Sequence, residues 1–148
     1  MRGGAEVGLG TDLFHDEVYG PVISAAYELE ANVAEYPRTA VGPKLVQTLS
    51  YLEQYPQTTP AGRAVTNVAH GCKRFLCEAP DDQRQMIHFL SDETCGSSTR
   101  DRREFARRCT IAHDVVRAEI ERFNDEKNIK LLDRYLRLNR YFEAYKTA

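Results

Sequence analysis

The sequence predicts an α+β fold, in which a segment of short strands and helices is followed by a C-terminal helical hairpin. In the first 95 residues, β-prone stretches alternate with Gly-Pro steps that suit helix starts, because proline lacks the N–H that a first helical turn leaves unpaired. Beyond residue 95, apolar residues recur at spacings of three and four through two long stretches. We therefore expect an α+β segment over residues 1–95 and a helical hairpin over residues 96–148, packed on it within a single domain.

The N-terminal stretch is predicted to form two strands and a helix. Residues 4–10 alternate loosely in hydrophobicity, which indicates a strand, although three glycines weaken it. Thr11-Asp12 is a candidate turn, and a returning strand is expected to start at Leu13-Phe14. The next predicted element is a helix that begins at Pro21. Its apolar positions that would share one face are 22, 25, 26, 29 and 33.

The middle of the chain is predicted from its breaks. The first helix must end before Tyr36-Pro37, because a residue that precedes proline is pushed out of the α region. The apolar run over residues 86–90 is too short for its periodicity to separate strand from helix. The other expected elements are a strand at 38–41, a helix at 43–52, a loop at 55–62 and a strand at 75–77.

The C-terminal part is predicted to be an antiparallel pair of helices. Ser98 or Thr99 is a candidate N-cap for a helix that runs to about Phe123, and a turn at 124–128 leads into a helix over 129–145. The residues expected on the apolar stripe of the first helix are Phe105, Cys109, Ala112, Val116, Ile120 and Phe123. Those expected on the stripe of the second are Leu132, Tyr135, Leu136, Asn139 and Phe142.

Composition excludes several classes of protein. The chain has 148 residues, 42% hydrophobic and 28% charged, which is ordinary for a globular domain. No apolar run approaches the roughly 20 residues that a membrane span requires, and no apolar leader follows the N-terminus. We therefore expect a cytoplasmic protein without a membrane partner. The four cysteines lack CxxC spacing, so we expect reduced thiols and no metal site.

Charge is unevenly distributed along the chain. Residues 1–100 carry 8 basic and 13 acidic side chains, whereas residues 101–148 carry 12 and 9, so the C-terminal part is positive within a net charge of −2. A basic region can bind nucleic acid. Here, however, the signs alternate as they do on a solvated helix face, and basic and aromatic residues are not interleaved. A nucleic-acid partner is therefore disfavoured.

Several short motifs occur together and in order. Arg2-Gly3-Gly4 and Gly8 are followed by His15-Asp16, Gly20-Pro21, the segment 25–30 (Ala-Ala-Tyr-Glu-Leu-Glu) and Tyr36-Pro37-Arg38. With the segment 133–142, these motifs resemble the C-terminal part of a bacterial class III nucleotidyl (adenylate/guanylate) cyclase-like family. In the family's closing pattern, leucine replaces a tryptophan here. The resemblance implies a partial cyclase-like (ferredoxin-like) sheet with covering helices.

The resemblance also implies which residues would contact a nucleotide. Glu17 matches the family's acidic base-selecting position, and Gly20 lies in its glycine turn. Ser24 stands where the family has a ribose-orienting asparagine, and Glu28 stands where it has a phosphate-binding arginine. In that family, two aspartates upstream of the Arg-Gly-Gly block hold two metal ions. The resemblance therefore implies no catalytic residue and no metal ligand in this chain, and Mg²⁺ or Mn²⁺ only where an upstream half supplies ligands.

These expectations lead to a functional hypothesis and two alternatives. A carboxylate at Glu28 would repel a triphosphate, and the open edge of a partial sheet must be covered. We therefore expect a catalytically degenerate cyclase-like module, a pseudoenzyme, that binds or regulates by pairing with itself or with a complete cyclase-like partner. The first alternative is part of an active cyclase that makes a cyclic nucleotide for signalling or phage defence. The second and weaker alternative is a basic helical nucleic-acid binder.

Overall fold

The computed structural model describes residues 2–13, 17–95 and 98–145. Within these residues the chain is α+β, with five α-helices, a four-stranded mixed sheet and a two-stranded hairpin, which confirms the predicted fold class. The chain divides into two compact units. Unit 1 extends to Glu78 and includes Arg84–Ile87, and unit 2 comprises Ala79–Gln83 and the residues from His88 onward. The predicted boundary at residue 95, and the packing of the hairpin on the first segment, stay predictions.

The described residues of unit 1 form nine elements. The first five in chain order are β1 (Gly3–Ala5), β2 (Thr11–Leu13), β3 (Glu17–Tyr19), α1 (Pro21–Asn32) and β4 (Thr39–Val41). The remaining four are α2 (Pro43–Glu53), α3 (Pro60–Lys73), β5 (Leu76–Glu78) and β6 (Gln85–Ile87). The sheet has the order β1-β4-β6-β5, in which β1 and β4 are parallel and the other pairs are antiparallel. The parallel strands β1 and β4 are joined by a crossover connection that contains α1. This helix packs on the sheet through contacts with both strands.

Most of the predicted elements of unit 1 are present. Both Gly-Pro steps place proline in the first turn of a helix, in α1 and in α2. The β-prone stretch before Gly42 forms β4, and the candidate strand at 75–77 forms β5, displaced by one residue. The undecided apolar run contributes its first two residues to β6. The five positions expected on the inner face of α1 and at its end are all half-buried, so the direction of that face is confirmed.

Four predictions for unit 1 are wrong. β1 ends at Ala5, so residues 6–10 form no strand, because Glu6 turns toward α2. Thr11 and Asp12 lie in β2 and pair with β3, so they are not the turn. The returning strand does not start at Leu13, which is the last residue of β2; it begins at Glu17. Phe14, His15 and Asp16 lie outside the described residues. The loop predicted over 55–62 ends early, because Thr59 is an N-cap whose Oγ1 accepts from the N–H of Gly62 at 3.0 Å, and α3 begins at Pro60.

Unit 2 is built on a helical hairpin. After a short 3-10 helix (Asp92–Thr94) come α4 (Thr99–Asp125) and α5 (Ile129–Tyr145). The candidate cap is confirmed at Ser98, whose Oγ accepts from the N–H of Asp101 at 3.0 Å. The helices run antiparallel, since the rings of Phe123 and Tyr135 near the turn lie 5.2 Å apart, and His113 Nε2 lies 2.9 Å from Asn139 Oδ1 further along.

The helical stripes of unit 2 are rotated slightly from the predicted ones. On α4, Ala112 is exposed and His113 is buried beside it. On α5, Leu136 is 38% exposed, whereas Leu138 and Tyr141 are buried. A count of apolar spacings alone misses His113 and Tyr141 as core residues, because both carry polar atoms that are hydrogen-bonded inside. No helix in the described part of the chain is both long and apolar enough to cross a membrane.

Candidate functional site

The turn into α1 depends on a glycine. Gly20 caps the helix with φ 145° and ψ 172°, a conformation that side chains rarely adopt. A Cβ at this position would lie 2.6 Å from the carbonyl oxygen of Leu9 and 3.0 Å from Gly10 Cα. The carbonyl of Gly20 then accepts from the N–H of Ile23 at 3.1 Å, which closes the first turn after Pro21. Segment 9–10 therefore packs directly on the start of α1.

A second glycine sets how closely α1 approaches the sheet. A Cβ on Gly4 in β1 would collide with the carbonyl oxygen of Ala26 and would lie 2.8 Å from Leu29 Cβ. Only a residue without a side chain allows this contact between the helix and the strand. The Arg-Gly-Gly motif thus has a packing role in unit 1, because it lets the backbones of β1 and α1 meet.

The structure places three of the four predicted nucleotide-contact residues on one row. Glu17 is the first residue of β3, but its side chain lies outside what the structure describes. Gly20, Ser24 and Glu28 follow at intervals of four, so they form one row along α1. Ser24 and Glu28 are both exposed. The row brings three of the four residues together at the surface and presents one hydroxyl and one carboxylate to solvent.

Exposed apolar side chains surround this row. None of the residues of α1, all of which the structure describes, is fully buried. We name the group the hairpin–helix face; its members are Leu9 (87% exposed), Val18 (51%), Tyr19 (52%), Ile23 (48%) and Tyr27 (69%). Large exposed apolar side chains that are grouped on neighbouring elements are typical of interaction surfaces. The spacing of apolar residues identified the covered side of α1, but it gave no sign that Ile23 and Tyr27 would lie exposed beside apolar residues of the hairpin.

The Tyr-Pro-Arg motif is buried rather than presented to a ligand. Tyr36 is 0% exposed and Arg38 is 3% exposed. Arg38 Nη2 donates to the carbonyl of Val33 at 2.6 Å, and its guanidinium lies 4.6 Å from the centre of the Tyr36 ring. The cation thereby satisfies a carbonyl at the negative end of α1. The motif therefore fixes the end of the helix that carries the candidate row.

An acidic side chain joins the end of β1 to α2. Glu6 Oε1 accepts from the N–H of Leu45 at 2.7 Å, and also from the N–H of Val7 at 2.9 Å. Leu45 is the third residue of α2, so the carboxylate takes the place of a side-chain cap that Gly42 cannot provide. A carboxylate at the positive end of a helix is favourable. This long-range cap has no sequence signal, because its partners are 39 residues apart.

Among residues 2–13, 17–95 and 98–145, no three His, Cys, Asp or Glu side chains are grouped so that they could hold a metal ion.

A carboxyl group and a thiol of α4 each have a shifted pKa. The guanidinium groups of Arg107 and Arg108 hydrogen-bond the carboxylate of Glu104 and lower its pKa to about 2. In the same unit, burial first and the neighbouring Cys95 second raise the pKa of the Cys109 thiol.

Comparison of this chain with protein-family models, with curated proteins and with solved structures finds no match.

Proposed function

We propose that this chain is a catalytically degenerate, cyclase-like interaction module. It corresponds to the C-terminal part of a class III nucleotidyl cyclase-like domain, and it docks a second cyclase-like domain, in the first instance another copy of itself. The docking surface comprises the hairpin–helix face and the outer edge of β1. The observation that carries the proposal is the exposure of five large apolar side chains on the β2–β3 hairpin, α1 and the segment that precedes them.

The edge of β1 supports a docking role. The N–H of Gly3 donates to Arg38 O, and Ala5 O accepts from the N–H of Gly42, so residues 3 and 5 face β4. Since hydrogen-bonding groups alternate along a strand, the N–H and C=O of Gly4 face the other way. β1 is the last strand of the sheet on that side within the described residues. Such an edge accepts a strand from a partner through main-chain hydrogen bonds.

The apolar face supports the same role through its composition. Tyrosine is enriched at the energetic centre of interfaces, and this face carries both Tyr19 and Tyr27. Burying one large apolar side chain contributes roughly 1.5–3 kcal/mol. Several such side chains offset the several kcal/mol that association costs in lost freedom. A second copy is the natural first occupant, because identical faces can meet around a two-fold axis.

The row on α1 favours a binding module over an enzyme. By the resemblance, Glu28 occupies the position at which the family binds phosphate with an arginine. Its carboxylate is exposed one turn beyond Ser24, and like charge opposes the approach of a triphosphate. The expected nucleotide contacts at Glu17, Gly20, Ser24 and Glu28 therefore belong to a weakened or lost site.

A second candidate function has one observation in its favour. The edge of β1 lies next to the Arg-Gly-Gly motif, and in the family the metal-binding strands precede that motif. A partner or further segment that adds strands there would supply the two aspartates and their Mg²⁺ or Mn²⁺ ions. The assembly would then be an active nucleotidyl cyclase in which this chain forms one part.

The test is the oligomeric state of matched variants. In sedimentation experiments at concentrations up to about 100 μM, we expect the wild-type chain to form a dimer. This range detects a dimer whose Kd is of that order. Ile23→Glu/Tyr27→Glu should sediment as a monomer with unchanged circular dichroism. Val68→Glu is the control, because Val68 is a 66% exposed apolar residue on α3 of the same unit.

Three results would contradict the proposal. A wild-type chain that stays monomeric at the highest concentration has no self-docking face. A chain that converts a nucleoside triphosphate to a cyclic nucleotide with Mn²⁺ is an enzyme, which would favour the second candidate. Loss of the dimer in the Val68→Glu variant as well would mean that any added surface charge disrupts association, and that the hairpin–helix face is not specific.

A further inference from the structure

The N-terminal half of α4 carries an unusual density of cations. Five arginines lie within nine residues, at positions 100, 102, 103, 107 and 108, against two acidic residues, Asp101 and Glu104. Four of the arginines share one side, where they line an open groove of about 620 Å³. The residues that line this groove are Thr99, Arg100, Arg103, Glu104, Arg107 and Arg108. We call it the arginine groove; it lies wholly within unit 2.

Glu104 organises one end of the groove. Arg107 binds it with two hydrogen bonds, from Nε to Oε2 and from Nη2 to Oε1, each 2.9 Å long, and Arg108 Nε donates to the same carboxylate at 2.9 Å. A guanidinium has five donors, so both arginines retain N–H groups beyond those given to Glu104. The two side chains, 63% and 74% exposed, are thus oriented by the carboxylate while they stay open to solvent.

The position of the other two arginines is electrostatically unfavourable in the chain alone. Arg100 and Arg103 lie in the first two turns of α4, and the N-terminal end of a helix carries partial positive charge. Cations at this end repel the helix dipole, and they also repel one another across a single turn. A bound anion would reverse both effects, because the dipole and the guanidinium groups would then attract the same charge.

We propose that the arginine groove binds a chain of linked phosphates, such as inorganic tripolyphosphate or the triphosphate group of a nucleotide. Four guanidinium groups and one carboxylate give the groove a net charge of three positive units. Arginine forks match phosphate oxygens in pairs. Arg100 and Arg107 are separated by seven residues, or about 10 Å along the helix axis, which is a length suited to a few phosphates. This inference is independent of the proposed function, because it concerns unit 2 alone.

The groove fits a small polyphosphate better than a nucleic acid. Single strands are usually held by aromatic side chains on which bases stack, in addition to charge. None of the side chains that line the groove is aromatic. Recognition must therefore depend on phosphate rather than on bases, and the row of cations covers only two turns of helix.

The experiment is calorimetric titration of the full chain with sodium tripolyphosphate at low ionic strength. We expect one site per chain, and an affinity that falls as salt is added. Arg100→Ala/Arg103→Ala should lose at least about tenfold in affinity, because it removes two charge-assisted contacts. Arg117→Ala/Arg140→Ala is the matched control, since both of its arginines are exposed on α4 and α5 outside the groove. It should bind like the wild type.

Stability separates a binding role from a structural one. Removal of two cations from the positive end of α4 should leave Tm unchanged or raise it. Arg100→Lys/Arg103→Lys keeps the charge but lacks the fork, so its affinity should lie between those of the wild type and the alanine variant. Titration with ATP distinguishes the sources: equal affinity indicates that only the phosphate chain is recognised, whereas tighter binding of ATP identifies a nucleotide as the ligand.

Three outcomes would overturn the proposal. The first is the absence of tripolyphosphate binding, and the second is an equal loss in the groove variant and in the control. The third is tighter binding of a mixed-sequence single-stranded oligonucleotide, or of vesicles that contain phosphatidylserine, with that binding lost in the groove variant. This last result would assign the groove to a polymer or to a membrane surface.

Discussion

The first helix of unit 1 and the two long helices of unit 2 are buried to very different extents. In unit 2, α4 and α5 bury residues from each of their inner faces, and Tyr141 near the C-terminal end of α5 is completely inaccessible to solvent. In unit 1, α1 packs its backbone against β1 at Gly4 but has no fully buried residue. Unit 2 thus completes its own core, whereas the first helix of unit 1 presents apolar surface. The difference lies in how much of each helix its own unit covers.

Polar groups show the same contrast. The hydroxyl of Tyr141 lies 2.9 Å from His88 Nδ1, and it accepts from the N–H of Leu90 at 3.1 Å, so a buried side chain connects α5 to the segment 88–90 within unit 2. The corresponding polar side chains of α1, Ser24 and Glu28, are exposed. The Tyr141 hydroxyl of α5 is hydrogen-bonded inside unit 2, so it stabilises the fold. These polar groups of α1 face solvent beside apolar side chains, a combination that is typical of binding surfaces.

The largest expected difference between the units is in the cost of removing one aromatic ring. Phe142 is 5% exposed and stacks on His113, with ring centres 5.1 Å apart, so Phe142→Ala should lower the free energy of unfolding by about 3–5 kcal/mol. Tyr27→Ala on α1 removes a ring that is 69% exposed and should change it by less than about 0.5 kcal/mol. Urea denaturation at a low protein concentration, where the proposed dimer would not form, measures both free energies. Equal costs would refute the contrast between the two helices.

The backbone contact of α1 can be tested with two glycines of unit 1. Gly4→Ala drives a methyl group into the carbonyl of Ala26, and should cost about 3 kcal/mol, the upper end for overpacking. Gly71 lies inside α3 with nothing within 4 Å of its Cβ direction, so Gly71→Ala should stabilise the chain by about 0.5–1 kcal/mol. Thermal unfolding measures both variants: Tm should fall for Gly4→Ala and rise for Gly71→Ala. A harmless Gly4→Ala would mean that α1 does not approach β1 this closely.

The polar contribution to the core of unit 2 is smaller than that of its rings. Tyr141→Phe keeps the ring but leaves the N–H of Leu90 and Nδ1 of His88 without the hydroxyl, so it should cost about 2 kcal/mol. Tyr135→Phe on the same helix is the control; Tyr135 is half-buried, and its described contact is a ring contact with Phe123. Denaturant midpoints compare the two variants. Equal midpoints would show that the buried hydroxyl does not stabilise unit 2.

Local signals in the sequence predicted much of this fold. Gly-Pro steps gave the starts of α1 and α2, and apolar spacing with a serine cap gave α4. The start of α3 was missed, because Thr59-Pro60 serves equally as loop chemistry or as a cap followed by a first-turn proline. The strand predicted over residues 4–10 was placed too far along the chain. The observed strand, β1, ends at Ala5, because a distant contact from Glu6 to α2 decides where it stops.

The candidate sites were less predictable than the fold. Gly20, Ser24 and Glu28 could be placed on one row from helical spacing alone. The exposure of the side chains around this row could not be predicted, since it depends on how many faces of α1 the sheet covers. The arginine groove was hidden by the alternation of charge: Glu104 looks like a neutralising partner in the sequence, whereas in space it holds Arg107 and Arg108 on one side.

A smaller effect tests the cap between β1 and α2 in unit 1. Glu6→Ala removes the acceptor for the N–H of Leu45 and should cost about 1 kcal/mol, as loss of an N-cap does. Glu28→Ala removes an exposed glutamate from α1 and should be close to neutral. Comparison of the two midpoints shows whether unit 1 depends on long-range ties between its elements. An Ala variant at Glu6 as stable as the wild type would show that water satisfies α2 equally well.

The smallest expected effect is on the surface of unit 2, and it has a pH signature. Hydrogen bonds from Arg107 first, and from Arg108 second, lower the pKa of Glu104 from 4.5 to about 2. Because the folded pKa lies below the unfolded one, the stabilisation is complete above about pH 4.5 and is lost as the pH falls toward 2. The Tm difference between the wild type and Glu104→Gln should therefore be constant near neutral pH, should shrink as the pH falls from about 4.5 toward 2, and should vanish below about pH 2.

This difference should stay small at every pH, because Glu104 is exposed and solvent and salt screen its ion pairs. Glu121→Gln, at an exposed position of the same helix, controls for the loss of one negative charge. A large Tm loss in Glu104→Gln that salt does not reduce would show that surface ion pairs, and not only the aromatic core, stabilise unit 2. The contrast with α1 would then rest on charge as much as on burial, and the arginine groove would be a structural element before it is a binding site.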